Sequence, residues 1–500
     1  MRRVVGCNEL RSIDQTFYLW KPAGATAARR VSCRHFAWML PLFLLAVLAT
    51  GCGVVPAIDN SPTPTPLPTP SATPTPPAPT PTPAAAKALL FSSARALDGS
   101  DSSTTNQPSN IWGINSDGTG ITPLTSLSDT AFGATSADAV YSPDGTRITF
   151  SSARAFDGSN NHDVNQVANI WVMNADGTNA KALTRLTFTK ADCTRPVWSP
   201  DGKKIAYTST RALDGTDNVN PIGSFIHVSN VWVINADGTG DVPLTDDNSI
   251  VGGGTTSSGD PVWSPDGTKI IFFSARAVDG TKLPNTNSVP NIWTMNSVDG
   301  SGRLPLTFYT AAGISPNTYA WLPNGSKIIY SINAALTGDA SGIPNIWVLD
   351  PSVIPFNPTP LTNFTNTASL RPSISPDGGK IAFVSTRALN GSDTANTNNT
   401  TNVWVMNADG SSPVHLTSLT AMGPGSVTVG GGRPNQIAFP WLKDGSKIAF
   451  TSARALDGSD TLNTNLVVNI WVMNADGSAQ KPITKVTNLN TDSLEPNWHP

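Results

Sequence analysis

From residue 88 onward the chain alternates short apolar runs with turn residues, and the same order of runs keeps returning. One unit shows the pattern. Pro196 to Trp198 leads into Ser199-Pro200-Asp201-Gly202, where Pro presets φ and Gly supplies the positive φ that closes a hairpin. Lys204 to Ser209 then alternates Ile205 and Tyr207 with smaller residues, the signature of a half-buried strand. Asn230 to Ile234 is a third run, closed by the tight-turn signal Asn235-Ala236-Asp237-Gly238, and Val242 to Thr245 is the fourth. The unit therefore predicts four antiparallel strands, called a to d from the axis outward.

The Trp of the third run recurs at Trp112, Trp171, Trp232, Trp293, Trp347, Trp404 and Trp471. An Asn stands two positions before each, at Asn110, Asn169, Asn230, Asn291, Asn345, Asn402 and Asn469. Seven repeats of a four-stranded unit predict an all-β fold, a seven-bladed β-propeller with one antiparallel sheet per blade. The first repeat starts at Ala88 with a strand b, and Glu495 to Pro500 matches strand a. One blade should thus close by pairing the N- and C-terminal strands, which removes an open sheet edge. The periodic Trp residues read as packing between blades, and the repeated Asn as a backbone partner at the start of strand c.

Both short turns, S-P-D-G and N-A-D-G, fall on one face and both long connections on the other. The Gly-rich stretches Asp246 to Asp260 and Ser418 to Pro440 are assigned to long d–a loops. Loops of this kind on a rigid scaffold usually carry function, so the long-loop face is the expected binding surface. The element S-[AT]-R-A-[LFV]-[DN]-G at the end of strand b supplies the candidate residues there. Its arginines are Arg95, Arg154, Arg211, Arg276, Arg387 and Arg454, and its acids Asp98, Asp157, Asp214, Asp279 and Asp457, with Asn390 in the sixth repeat. The fifth repeat has Ala334 and Thr337, losing both together, which predicts that Arg and Asp meet each other or a common partner. Further acids at Asp101, Asp217, Asp393 and Asp460 give these loops enough oxygen donors for Ca²⁺, although no D-x-D-x-D-G loop is present. No other cofactor is expected.

Residues 1–51 read as an export segment. Arg29, Arg30, Arg34 and His35 precede an apolar run from Phe36 to Ala49, too short to span a bilayer. It ends Leu48-Ala49-Thr50-Gly51-Cys52, similar to a bacterial lipobox, so Cys52 is the expected lipidation site and the cell envelope the expected location. Residues 52–87 follow as a tether whose Pro-Thr repeat favours an extended polyproline II spacer. Cys193 is the one cysteine left in the propeller, which excludes a disulfide framework. The chain carries 32 basic and 35 acidic residues. Almost all the basic excess lies in the export segment, so the rest is acidic and shows no basic stripe for nucleic acid.

W-S-P-D-G-K-K-I-A-Y and N-I-W-V-M-N-A-D-G resemble the TolB-type propeller repeat, shared in looser form with the propellers of prolyl-oligopeptidase-like peptidases. The resemblance covers about four fifths of the chain and implies a fold more than a function. The chain departs from TolB in lacking its N-terminal α/β domain and in having seven repeats where TolB has six blades. The function expected on these grounds is a non-enzymatic, lipid-anchored module that binds a protein or glycan through its long-loop face. The alternative is a propeller enzyme, a metal-dependent lyase or hydrolase, or an accessory subunit of a peptidase. A peptidase of the resembling class needs a G-x-S-x-G elbow, which the chain lacks. A lyase needs clustered His ligands, and past Cys52 only His162, His227, His415 and His499 are available.

Overall fold

The computed structural model describes residues 86–101, 108–128, 135–157, 159–221, 227–251, 254–335, 341–421, 427–429, 441–488 and 491–500. The export segment, Cys52 and the Pro-Thr tether lie outside the described residues.

Strands and turns form where the repeat places them. In the unit read above, Cys193–Trp198, Lys204–Ser209, Asn230–Asn235 and Val242–Pro243 make one antiparallel sheet in the order a-b-c-d. Seven such four-stranded sheets are present. The first blade takes strand a from Ser493–Trp498 and pairs it with Leu89–Ser93, Asn110–Ile114 and Thr122–Pro123. Leu89 lies opposite Trp498 and Ser93 opposite Ser493. The ring closes as the strand order predicts.

Strand b is the hydrophobic heart of each blade. Ile148 and Phe150, Ile205 and Tyr207, and Ile448 and Phe450 are fully buried between neighbouring sheets. The strand-c tryptophans are buried too, and Trp112, Trp232, Trp293, Trp404 and Trp471 are among the largest fully enclosed side chains. At the c–d turns the Gly is required twice over. Gly410 has φ +87°, and a Cβ there would stand 2.8 Å from the Leu361 carbonyl of the preceding blade.

The repeated Asn and the Thr of the P-L-T run form one clasp. Thr125 Oγ1 accepts from Ile111 N–H and donates to Asn110 Oδ1, both at 2.9 Å. The same pair is made by Asn169 with Thr184, Asn230 with Thr245 and Asn402 with Thr417. The Asn amide also binds the chain leaving strand d, as Asn110 does at Leu127. It therefore ties strand c to the crossing segment, a longer reach than a cap on its own strand.

Two expectations about strand a need correcting. The strand begins earlier than Pro196, at Cys193, because a β-bulge interrupts it between Thr194 and Val197. Equivalent register shifts occur at Ala137/Val140, Gly259/Val262 and Leu370/Ser373. In the seventh blade Val427–Val429 already pairs with strand b, and Trp441 bridges Ile448 at its far end. Strand a of the seventh blade thus begins within the Ser418 to Pro440 stretch that was expected to be a d–a loop; residues 430–440 lie outside the described residues. The Asp246 to Asp260 stretch holds a small hairpin, Ile250–Val251 with Gly254–Thr255, before strand a resumes at Ser258.

Candidate functional site at the channel mouth

The repeated arginines are core residues. Arg95, Arg211, Arg276, Arg387 and Arg454 are buried. The guanidinium of Arg211 lies 3.7 Å from the Trp232 ring centre, Arg387 3.9 Å from Trp404, and Arg454 3.9 Å from Trp471. Arg95 and Arg154 sit farther out over Trp112 and Trp171, at 5.6 and 5.2 Å. Burial brings Arg95 down to about 10.

The acids of the same motif do not meet these arginines. Asp98, Asp157, Asp214, Asp279 and Asp457 each accept the backbone N–H two residues on, at 2.8 to 2.9 Å, closing the turn they start. Arg211 pairs instead with Asp241 at 2.6 Å, and Arg276 with Asp246 at 3.2 Å. In the fifth repeat, which lacks both, strand b continues to Ala334 with a register shift after Ile332.

The second set of acids holds neighbouring blades together. Asp217 accepts from Thr187 and Phe188, and Asp393 from Thr365, Asn366 and Thr367. Asp460 accepts from Thr420, and Asp101 from Thr487. Each donor lies on the d–a crossing of the preceding blade. His162 is bridged within its own blade to Arg154, while His227 neighbours Asp192. Among the described residues no group of three or more His, Cys, Asp or Glu is placed to hold a metal. Cys193 is buried, its Sγ donates to Ser209 Oγ at 3.3 Å, and burial pushes its thiol up to about 12.

The concave site lies elsewhere, on the axis. A cavity of about 550 Å³ is lined by the ends of all seven first strands: Tyr141, Trp198, Trp263, Trp321, Ile374, Trp441 and Trp498. Two residues beyond each comes a second ring, in which Pro143, Pro200, Pro265 and Pro376 stand on S-P-D-G turns and Pro323 on the L-P-N-G turn. The cavity therefore opens on the short-turn face, opposite the long loops. Its tryptophans are anchored: Trp198 Nε1 donates to Val140 O, Trp263 to Val197 O and Trp441 to Ser373 O, each at 3.2 Å and each across to the preceding blade. Packing fixes these rings, and their edges make an apolar wall.

Three residues before the lining residue on each of five strands stands a charged bulge residue, of which Arg371 alone lines the cavity. Asp138, Arg195, Asp260, Arg371 and Glu495 all sit at strand-a bulges with φ between 53° and 61°, a conformation that non-glycine residues adopt only when their surroundings impose it. Their contacts run round adjacent blades. Asp138 N–H donates to Glu495 Oε2 and Arg195 N–H to Asp138 Oδ2, both at 3.2 Å, and the Arg195 guanidinium pairs with Asp260. Burial pushes Arg195 down, but Asp260 and then Asp138 hold it above its ordinary value. Tyr319 O–H donates to Asp260 O at 2.6 Å, and Ser151 Oγ donates to Asp138 Oδ2 at 2.8 Å. The sequence did contain a signal for this ring: a charged residue stands three positions before the aromatic in D-A-V-Y, R-P-V-W, D-P-V-W and E-P-N-W.

Known proteins can now be set beside this geometry. No family model matches the chain. Solved TolB structures share the propeller; that from Acinetobacter baumannii is 18% identical, with 72% of this chain and 67% of that one covered at a TM-score of 0.40. The chain folds as a seven-bladed β-propeller. A puromycin hydrolase is 12% identical at a TM-score of 0.51, covering 82% of this chain and 54% of that one. One curated relative, the uncharacterized peptidase YuxL of Bacillus subtilis (strain 168), is 28% identical over 140 residues, 28% of this chain and 17% of that protein. The chain spans about half the length of the hydrolase it superposes on, and a smaller part of YuxL. These neighbours overturn the expectation of a non-enzymatic module, because the relative and the hydrolase are enzymes by name. The repeat specifies blades and carries no chemistry, so a missing elbow within it had no bearing on whether the propeller serves an enzyme.

Proposed function

We propose that the protein works in peptide hydrolysis, as the propeller of a peptidase, and that the axial cavity on the short-turn face admits and holds the peptide. The observation that carries this reading is the cavity itself: about 550 Å³, walled by aromatic and proline rings, with the polar side chains of Thr318, Arg371, Ser373 and Lys443 among its lining. Apolar walls with a few convergent polar groups are the usual form of a ligand site. The likeness to a peptidase sequence supports the substrate class. The propeller would select and position the chain, while a hydrolase module working with it supplies the nucleophile. We assign the protein to the cell envelope, held through lipid on Cys52, on the strength of the L-A-T-G-C stretch.

The test is to purify the full chain from its native host with whatever remains bound, and to assay quenched fluorescent peptides. Hydrolysis that is lost when Ser373→Trp fills the cavity is the expected result. A preparation that cleaves none of a broad peptide panel would remove the reading. Location is tested separately, since Cys52→Ser should leave the membrane fraction.

A further inference from the structure

The turn that follows strand b lacks its acid in the sixth blade. Asn390 holds the place that Asp98, Asp157, Asp214, Asp279 and Asp457 hold in five others, and Gly391 follows it. An Asn-Gly pair occurs at one other point in the chain, Asn324-Gly325. Such a pair can rearrange by itself, because glycine puts no side chain in the way when its nitrogen approaches the Asn amide. Three features of the sixth-blade turn favour that step. Asn390 is exposed, and no atom lies within 4 Å of where a Cβ on Gly391 would stand, so the reacting groups have room and water. Asn390 Oδ1 accepts from Ser392 N–H at 3.0 Å and from Ser392 Oγ at 2.7 Å. Both donors face the oxygen on which negative charge develops during attack, an arrangement that stabilises a tetrahedral intermediate. Thr394 Oγ1 stands 2.8 Å behind Ser392 Oγ, and a hydroxyl chain of this kind strengthens the donation. At Asn324 the paired donors recur from Ser326, at 3.0 and 2.8 Å, but Pro265 Cδ stands 3.8 Å from the Cβ point of Gly325.

We infer that Asn390 is a site of self-modification, converted in the folded protein to an acid through a cyclic imide. The Gly391 nitrogen gives its proton to solvent hydroxide and leaves its bond to Ala388 O, 2.9 Å away. It then attacks Asn390 Cγ. The N–Cγ bond forms, the Cγ–Nδ2 bond breaks, and Nδ2 takes a proton from water and leaves as ammonia. Water next opens the imide. Addition at Cγ breaks the new N–Cγ bond and leaves an ordinary aspartate at position 390. Addition at the backbone carbonyl breaks the original peptide bond and leaves isoaspartate, with the chain running through the side-chain carbons. The aspartate product fits, since five sibling turns carry Asp there, each accepting the backbone N–H two residues on. The isoaspartate product adds a methylene to the backbone inside a tight turn and breaks its geometry. Either product adds one negative charge to a chain whose net charge is −3.

The test is peptide mapping of the full-length native protein during incubation in warm, mildly alkaline buffer. Mass spectrometry with electron-transfer fragmentation locates each converted Asn and separates aspartate from isoaspartate. Conversion at Asn390 should run at least about tenfold faster than at Asn407, which is followed by Ala408. Asn324 should fall between the two. Ser392→Ala keeps the backbone donor and removes the hydroxyl, and should slow conversion at Asn390 by at least about threefold. Asn390 that converts no faster than Asn407 in the wild-type protein would overturn the inference, and that comparison needs no variant. Conversion in Ser392→Ala at the parental rate would overturn it too, since the Asn-Gly pair alone would then account for the reaction.

Discussion

Arg387 lies between the rings of Trp404 and Phe364, 3.9 and 4.8 Å from their centres, and is buried. Its charge is stabilised by π faces and its plane fills a slot between strands. Arg387→Met should therefore lower stability by about 1–2 kcal/mol, read as a fall in melting temperature. Arg387→Lys should not restore it fully, because an ammonium cannot stack as a plane. The arginine was legible in the sequence as a repeated residue, but its partner was not. In five of the six motifs an Asp stood three positions away and looked like the mate (Asn390 holds the place after Arg387), whereas the true neighbour is a Trp on the next strand. The reverse holds at the bulges. Asp138, Arg195, Asp260, Arg371 and Glu495 were passed over because a charged residue within an apolar run reads as the end of a strand, and only the left-handed bulge explains how the strand continues.

At the scale of elements, blades are fastened by Asp393 and its counterparts. Asp393 accepts hydrogen bonds from Thr365, Asn366 and Thr367 of the preceding crossing. Burial pushes its carboxyl up, but these bonds more than offset that and hold it below its ordinary value. A depressed folded pKa means the clasp contributes fully above the unfolded carboxylate value of about 4 and is lost as pH falls through the lower folded value. Asp393→Ala should cost about 1–2 kcal/mol at neutral pH. The wild-type protein should lose its advantage over this variant below about pH 4, which melting curves across pH will show. The strands themselves were well marked: Lys204–Ser209 runs from the first to the last residue expected. Strand d shrank to Val242–Pro243, because the Thr that follows turns away to clasp Asn230.

For the whole molecule, closure depends on a single pairing between distant ends of the chain. Trp498 is buried, lies opposite Leu89 and belongs to the same apolar cluster as Phe91, Trp112 and Ile470. Trp498→Ala should cost about 3–5 kcal/mol, since it leaves a void at the seam of the ring. A melting temperature within a degree or two of the parent would contradict closure by this strand. The ring was readable because strands count in order along a repeat, and a missing strand a at one end was matched by a spare at the other. The axial cavity was not readable. Loop length drew attention to the long connections, while the cavity is built from the ends of seven short strands that lie far apart in sequence.

The central claim is that this axial cavity, and not the long-loop face, holds the peptide. Its most direct test compares cleavage by the preparation from the native host for three forms: wild type, Ser373→Trp in the cavity, and Asp214→Ala with Asp457→Ala on the long loops. The account predicts that the cavity variant loses at least tenfold in kcat/KM, a change of about 1.4 kcal/mol, while melting like the parent. The loop variant should cleave as the wild type does. Loss of cleavage in the loop variant, with full activity when the cavity is filled, would contradict the account.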